Sequence, residues 1–195
     1  MIRRFLVFAG LLVITGLVAT AQEATWVPDK AHSEVNFSIL HLGLDNVRGR
    51  FGNIGGTVNL DQSDITKSKV NVTIDVSTVD TGVAPRDSDL KSDHFFDIAK
   101  YPTATFVSTS FKRSGSGLVV TGSLTLHGVT KPVVLQVEGP RGPVMGTDHK
   151  PHLGFSATIT IDRTAFGIAP SYPAAMVGDT VKLSIDLDLA KQWSA

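Results

Sequence analysis

The sequence contains no cysteine among its 195 residues. Disulfide bonds, thiol catalysis, iron–sulfur clusters and cysteine zinc sites are therefore excluded, and the fold must depend on its core alone. Blocks of like charge are also missing, because 18 basic residues balance 18 acidic ones along the chain. This balance gives no basis for a nucleic-acid partner or for binding to an anionic membrane surface.

Long apolar runs are scarce, and the one that stands out lies at the N-terminus. Arg3 and Arg4 precede an apolar segment over residues 5–18, and small side chains follow at positions 19 and 21, where a signal peptidase reads the chain. The apolar segment is shorter than the roughly 20 residues that a membrane-spanning helix needs. We therefore expect a signal peptide over residues 1–21, cleavage before Gln22, and an exported domain over residues 22–195 that is not an integral membrane protein.

The dominant pattern in the rest of the chain is a strict alternation of apolar and polar residues. This period of two predicts strands with one apolar and one wet face. The clearest segments cover residues 35–39, 70–76, 118–126, 155–161 and 181–189. Shorter strands are predicted near residues 47–51, 56–60, 103–111 and 133–137, with glycine-rich turns between many of them. About eight antiparallel strands joined mostly by short turns predict either a barrel or a sandwich.

Two stretches break this alternation. Residues 86–97 carry the pair Phe95-Phe96 and suit a short helix whose aromatic side chains pack inward. Residues 139–151 are rich in glycine and proline and predict a mobile loop.

Candidate metal and catalytic residues do not form a recognisable motif. Four of the six histidines lie on separate predicted elements, His149 and His152 lie on a glycine- and proline-rich loop, and no pair has the spacing of a known zinc motif. No serine lies in a G-x-S-x-G turn, and alternation places Ser33 on the opposite face from its neighbours His32 and Glu34. We therefore predict no metal site and no catalytic residue, hence no enzyme.

Several motifs, in the same order along the chain, resemble the YceI-like family of bacterial periplasmic proteins. The motifs that carry the resemblance are residues 32–37, His41, Gly43, 47–51, 78–82, 86–87, 90–92, 95–97, 101–102, 122–132, Arg163, 166–168 and 177–179. They extend over essentially the whole predicted mature domain. Two positions depart from the family pattern, since Asp89 stands where the family usually has histidine and His94 stands where it usually has aspartate. This exchange predicts that a local contact persists with its partners reversed.

The resemblance implies an all-β, extended antiparallel, lipocalin-like barrel of about eight strands, with the short helix near 86–97. It also implies a periplasmic protein that binds a long-chain isoprenoid lipid or a quinone tail as its ligand, with no other cofactor and with no catalytic residues to carry over. An eight-stranded barrel is just wide enough to be filled by side chains or to hold one slender ligand. Alternation alone does not choose between these two outcomes.

Inward-facing positions then define a predicted lipid-binding wall. Its members are Phe37, Ile39, Val72, Ile74, Phe95, Phe96, Phe106, Leu124, Leu126, Phe155 and Ile159. Phe95 and Phe96 are expected to close one end of the barrel, and His41 and Arg86 are expected to be polar groups near its mouth.

Three alternatives to a lipid carrier are a structural or interaction module on the same barrel, a periplasmic hydrolase and an outer-membrane barrel. The last is disfavoured because the chain lacks the aromatic girdles of such barrels. The sequence leaves the oligomeric state open, with a homodimer as one option.

Overall fold

A computed structural model describes residues 24–193 of the chain. The predicted signal peptide and its cleavage site before Gln22 lie outside these residues. The strands are β1 (Ala24–Pro28), β2 (Glu34–His41), β3 (Asp45–Phe51), β4 (Ile54–Leu60), β5 (Lys69–Asp75), β6 (Thr103–Ser114), β7 (Gly117–Leu126), β8 (Val129–Met145), β9 (Pro151–Asp162) and β10 (Val177–Lys191). One α-helix, α1 (Ala84–Lys91), and three short 3-10 turns at Ile65–Lys67, Val76–Thr78 and Thr164–Phe166 complete the described elements.

Eight antiparallel strands close into a barrel in the order β1-β4-β5-β6-β7-β8-β9-β10, with β10 pairing back to β1. The remaining two strands form the β2–β3 hairpin, which pairs with the first part of β10. Consequently β1 and β2 lie end to end along β10, where Trp26 pairs with Lys191 and Ile39 pairs with Val181. The predicted all-β barrel with one short helix is confirmed.

The two ends of the barrel differ in what covers them. We call the upper end the one that carries the β2–β3 turn, the β7–β8 turn and the connection between β9 and β10, and the lower end the one that carries the β6–β7 and β8–β9 turns. Beside the upper part of the barrel, residues 76–101 lie against the free edge of β3 through a backbone bridge between Arg50 and Asp80. Within residues 24–193, no helix is long and apolar enough to cross a membrane.

The helix α1 is shorter than predicted and begins earlier. Pro85 lies in its first turn, where its missing N–H has no partner to lose, and Lys91 lies in its last turn. Residues 92–97 form hydrogen-bonded turns instead of continuing the helix. The prediction of a helix was therefore right, but its bounds are 84–91 and not 86–97.

The predicted loop over residues 139–151 is wrong for most of its length. Strand β8 continues to Met145, and two residues of β8 lie opposite one residue of β9 at each of two bulges, between Glu138 and Arg141 and between Arg141 and Val144. Gly139 makes the first bulge feasible, because its φ is +119° and a Cβ there would lie 2.8 Å from the backbone oxygen of Gly154. The glycine and proline residues of this segment therefore bend the β8–β9 hairpin at its bulges instead of ending strand β8.

Candidate functional site

The barrel interior holds two adjoining apolar cavities. The upper cavity has a volume of about 510 Å³, and the lower cavity, deeper in the barrel, has a volume of about 130 Å³. Four side chains border both cavities, namely Val35, Ile74, Leu124 and Leu183. The lower cavity is lined by apolar side chains together with Ser156, so it offers almost nothing to a polar ligand.

All thirteen residues that the sequence predicted for the site line one of these cavities. Those bordering the upper cavity are Phe37, Ile39, His41, Arg86, Phe95, Phe96 and Leu126. Those bordering the lower cavity are Val72, Phe106, Phe155 and Ile159, and those bordering both are Ile74 and Leu124. Strand alternation accounts for most of this set, since every second side chain must point inward. Their part in binding a ligand stays a prediction.

The paired phenylalanines form part of the wall at the upper end. The Phe95 ring stacks on Tyr172 with centroids 5.2 Å apart, and the Phe96 ring meets Phe51 edge to face at 5.5 Å. These contacts join the segment after α1 to β3 on one side and to the connection between β9 and β10 on the other. The upper cavity is therefore enclosed partly by residues outside the strands.

Sequence reasoning missed the part of the wall that the β9–β10 connection supplies. Ile168, Tyr172 and Met176 border the upper cavity and lie in a segment that has no alternation. Arg163, at the start of this segment, and Ile168 entered the sequence analysis only as part of the family pattern. A period-two search has no signal for such residues, because an irregular backbone places side chains by its own hydrogen bonds.

Arg163 organises this connection from inside the fold. Its side chain is buried and donates hydrogen bonds to five backbone carbonyls, those of Gly178, Ile168, Ala169, Tyr172 and Val177. It also forms an ion pair with the Asp179 carboxylate at 2.9 Å. The guanidinium is therefore engaged by the connection itself, although the residue borders the cavity.

Arg86 is held by the segment before α1. Its Nε donates to the Thr81 hydroxyl at 2.8 Å and its Nη2 donates to the Thr81 carbonyl at 3.0 Å. Asp87 fixes Thr81 in turn by accepting hydrogen bonds from its backbone N–H and its hydroxyl. Arg86 thus presents a positive group with a fixed orientation to the upper cavity.

Asp89 and His94 make the contact that their exchanged positions predicted. The His94 Nδ1 lies 2.9 Å from the Asp89 Oδ1, and Asp89 also borders the upper cavity. The hydrogen bond to Asp89, followed by its negative charge, raises the pKa of His94 above its usual 6.5. The raised pKa means that protonation of His94 favours the folded chain at pH values below 6.5, and that this contribution is lost as the pH rises through the folded-state pKa.

Replacing Asp89 by asparagine should lower the pKa of His94, because it removes the charge that holds the imidazolium. NMR titration of the His94 ring signals in the wild type and in Asp89→Asn measures the change directly. Asp93→Asn is the matched control, since Asp93 acts on His94 by charge alone and contributes less. An equal or larger shift in Asp93→Asn would show that the contact with Asp89 is not the main cause of the raised pKa of His94.

The chain is similar to known proteins over most of its length. The YceI-like domain family matches residues 26–189. The chain is 40% identical over 189 residues to Protein YceI of Salmonella agona, covering 95% of each chain, and 38% identical over 173 residues to a UPF0312 protein of Vibrio parahaemolyticus, covering 85% of this chain and 89% of the relative.

Solved structures agree with the fold. BcnA of Burkholderia cenocepacia superposes with a TM-score of 0.73 at 25% identity, covering 83% of this chain and 98% of BcnA. A polyisoprenoid-binding domain from Saccharophagus degradans superposes with a TM-score of 0.63 over 88% of this chain and all of that domain, and at 18% identity this likeness concerns the fold alone. Because the family match covers residues 26–189 and relatives reach 40% identity over nearly the whole sequence, the chain belongs to the YceI-like family.

Proposed function

We propose that this protein is a periplasmic carrier that holds a polyisoprenoid or a similar long-chain lipid inside its barrel. The observation that carries the proposal is the upper cavity, whose volume of about 510 Å³ falls within the range of roughly 300–1,000 Å³ typical of small-molecule pockets. Most of its lining is aliphatic or aromatic, which suits a hydrocarbon chain. The name of the Saccharophagus degradans domain supports the same class of ligand.

The two cavities together set the length of chain that the barrel can enclose. A cavity of about 150 Å³ accommodates benzene, which corresponds to roughly 25 Å³ per carbon atom. On this scale the two cavities hold about 25 carbons, or about five isoprene units. A longer tail would have to emerge from the barrel.

Burial of hydrocarbon alone can supply the affinity. Each isoprene unit removed from water contributes up to about 4 kcal/mol, at about 0.8 kcal/mol per carbon. Five units would give about 20 kcal/mol gross, near the practical limit of non-covalent binding, and ordering the flexible chain opposes much of it. No charged anchor is needed, so selectivity for the headgroup should be weak.

Binding without catalysis fits the polar groups of the upper cavity. Arg163 donates to backbone carbonyls, and Asp89 is paired with His94. Both side chains are therefore engaged in contacts that hold the cavity wall together.

The periplasmic location in this proposal is supported by the N-terminal sequence pattern.

Organic extraction of the purified protein followed by mass spectrometry tests the proposal. We expect one isoprenoid or other long-chain lipid per chain, and a delipidated sample should take up a prenyl alcohol of about 25 carbons at the same ratio. An unrelated exported protein from the same host serves as the control for contaminating lipid. Absence of lipid from the extract, together with failure of the delipidated sample to bind prenyl alcohols, would refute the carrier function.

A further inference from the structure

A group of titratable side chains lies on the outside of the barrel at its lower end. Asp29 follows β1, Asp148 lies in the β8–β9 turn, His152 lies on β9 and Asp188 lies on β10. Their neighbours Leu153 and Leu189 are buried in the core, so alternation turns His152 and Asp188 outward. The group is thus separate from the cavities and has no part in the proposed lipid site.

Three of these residues present ligand atoms to a common point. One oxygen of Asp29, one oxygen of Asp188 and one ring nitrogen of His152 all lie within 4.8 Å of one another. The His152 Nδ1 is 2.5 Å from the Asp188 Oδ1, and only 11% of the His152 side chain is exposed. Two ligand atoms about 2.0–2.2 Å from one tetrahedral zinc ion are about 3.4 Å apart. An ion would therefore replace the proton between His152 and Asp188 and move these two atoms about 1 Å further apart.

Backbone hydrogen bonds hold these ligands in place before any ion binds. The Asp29 N–H donates to the Asp188 carbonyl at 2.8 Å, which fixes the link after β1 against β10. Ser33 bonds the Asp188 backbone twice, donating from its hydroxyl to the carbonyl and accepting from the N–H, each at 3.1 Å. The backbone of the set is thus fixed in advance, so binding requires only side-chain shifts and loses little conformational entropy.

Asp148 supplies the outer contact that metal-binding histidines usually have. Its Oδ1 lies 3.0 Å from the His152 Nε2, on the opposite side of the ring from Asp188. Both ring nitrogens lie within hydrogen-bond distance of a carboxylate, so without an ion Nδ1 donates to Asp188 and Nε2 donates to Asp148. An ion would displace the Nδ1 proton, and Asp148 would keep the proton on Nε2.

We propose that Asp29, His152 and Asp188 bind one divalent transition-metal ion of the zinc class, with Asp148 orienting the imidazole. Two carboxylates and a neutral imidazole carry a charge of −2, which such an ion neutralises. An imidazole ligand favours zinc, nickel or copper over magnesium and calcium, which prefer oxygen alone. Because Asp29 and Asp188 lie where β1 joins β10, the ion would stabilise the closure of the barrel.

Isothermal titration of tag-free protein with Zn²⁺ tests this site. We expect one ion per chain, a rise in the thermal unfolding temperature on binding, and at least a 100-fold loss of affinity in His152→Asn and in Asp188→Asn. Asp148→Asn should weaken binding by about 10- to 100-fold, since it removes an outer contact and not a ligand. His149→Asn is the matched control, because His149 lies three residues before His152 in the β8–β9 turn and its φ of +61° suits asparagine. This control should bind like the wild type.

The alternative is that the group is only a set of ion pairs around a protonated His152. In that case Zn²⁺ would bind weakly or not at all, or the wild type and His152→Asn would bind alike, and either result would overturn the proposal. An equal loss in His149→Asn would do the same. A measurement on the unmodified chain tests the site even if a variant fails to fold. In the wild type, Zn²⁺ should shift the ¹⁵Nδ1 NMR signal of His152 more than its ¹⁵Nε2 signal. The opposite pattern would count against coordination through Nδ1.

Discussion

Replacing Arg163 by alanine is expected to lower the free energy of unfolding by about 3–5 kcal/mol, the usual cost of breaking a buried ionic network. The guanidinium donates to five backbone carbonyls and pairs with Asp179, and alanine replaces none of these bonds. Each buried carbonyl left without a donor costs about 1–3 kcal/mol unless water reaches it. The connection between β9 and β10 must therefore rearrange or become hydrated.

Urea denaturation followed by far-UV circular dichroism measures this loss. Asp179→Asn is the matched control, because it keeps the guanidinium and its carbonyl contacts and removes a carboxylate that is 41% exposed. We expect that variant to lose about 1 kcal/mol, as is typical of a partly exposed ion pair. If Arg163→Ala were as stable as Asp179→Asn, the carbonyl contacts would not hold the connection together.

The strands and their inward faces could be predicted because alternation is a local property. In β2, Phe37 and Ile39 point into the barrel, and in β7, Leu124 and Leu126 do so, as the period of two requires. The short strand β1 was not predicted, because its five residues end at Pro28 and follow a predicted cleavage site. They therefore contain too little alternation to identify a strand. Its pairing with β10, which closes the barrel, depends on residues more than 150 positions away.

The hollow interior could not be predicted from the pattern. Whether inward side chains meet depends on their volumes around the whole barrel, and these come from eight strands at once. Leu189 and Ile54, which border the lower cavity, are fully buried and that cavity is small, whereas at the upper end the barrel wall leaves a wide space. The group around His152 could not be predicted either, because Asp29 and Asp188 are far from His152 along the chain and only the folded barrel brings them together.

Replacing Leu124 by aspartate is expected to reduce the affinity for a prenyl ligand at least 100-fold. Leu124 borders both cavities, so an enclosed chain must pass beside it. Binding would then strip water from a carboxylate facing hydrocarbon, which costs several kcal/mol, and about 2.7 kcal/mol already corresponds to 100-fold. The side chain is only partly buried and borders open space, so the variant should still fold.

Ser123→Asp provides the matched control for this change. Ser123 precedes Leu124 on β7 and faces away from the interior, so the same charge is introduced one residue away but outside the barrel. Native mass spectrometry after incubation with a prenyl alcohol of about 25 carbons should show full occupancy in the wild type and in Ser123→Asp, and little in Leu124→Asp. Circular dichroism confirms that each variant is folded. Full occupancy in a folded Leu124→Asp would mean that the lipid does not run through both cavities beside Leu124, which would contradict the enclosed chain of about 25 carbons.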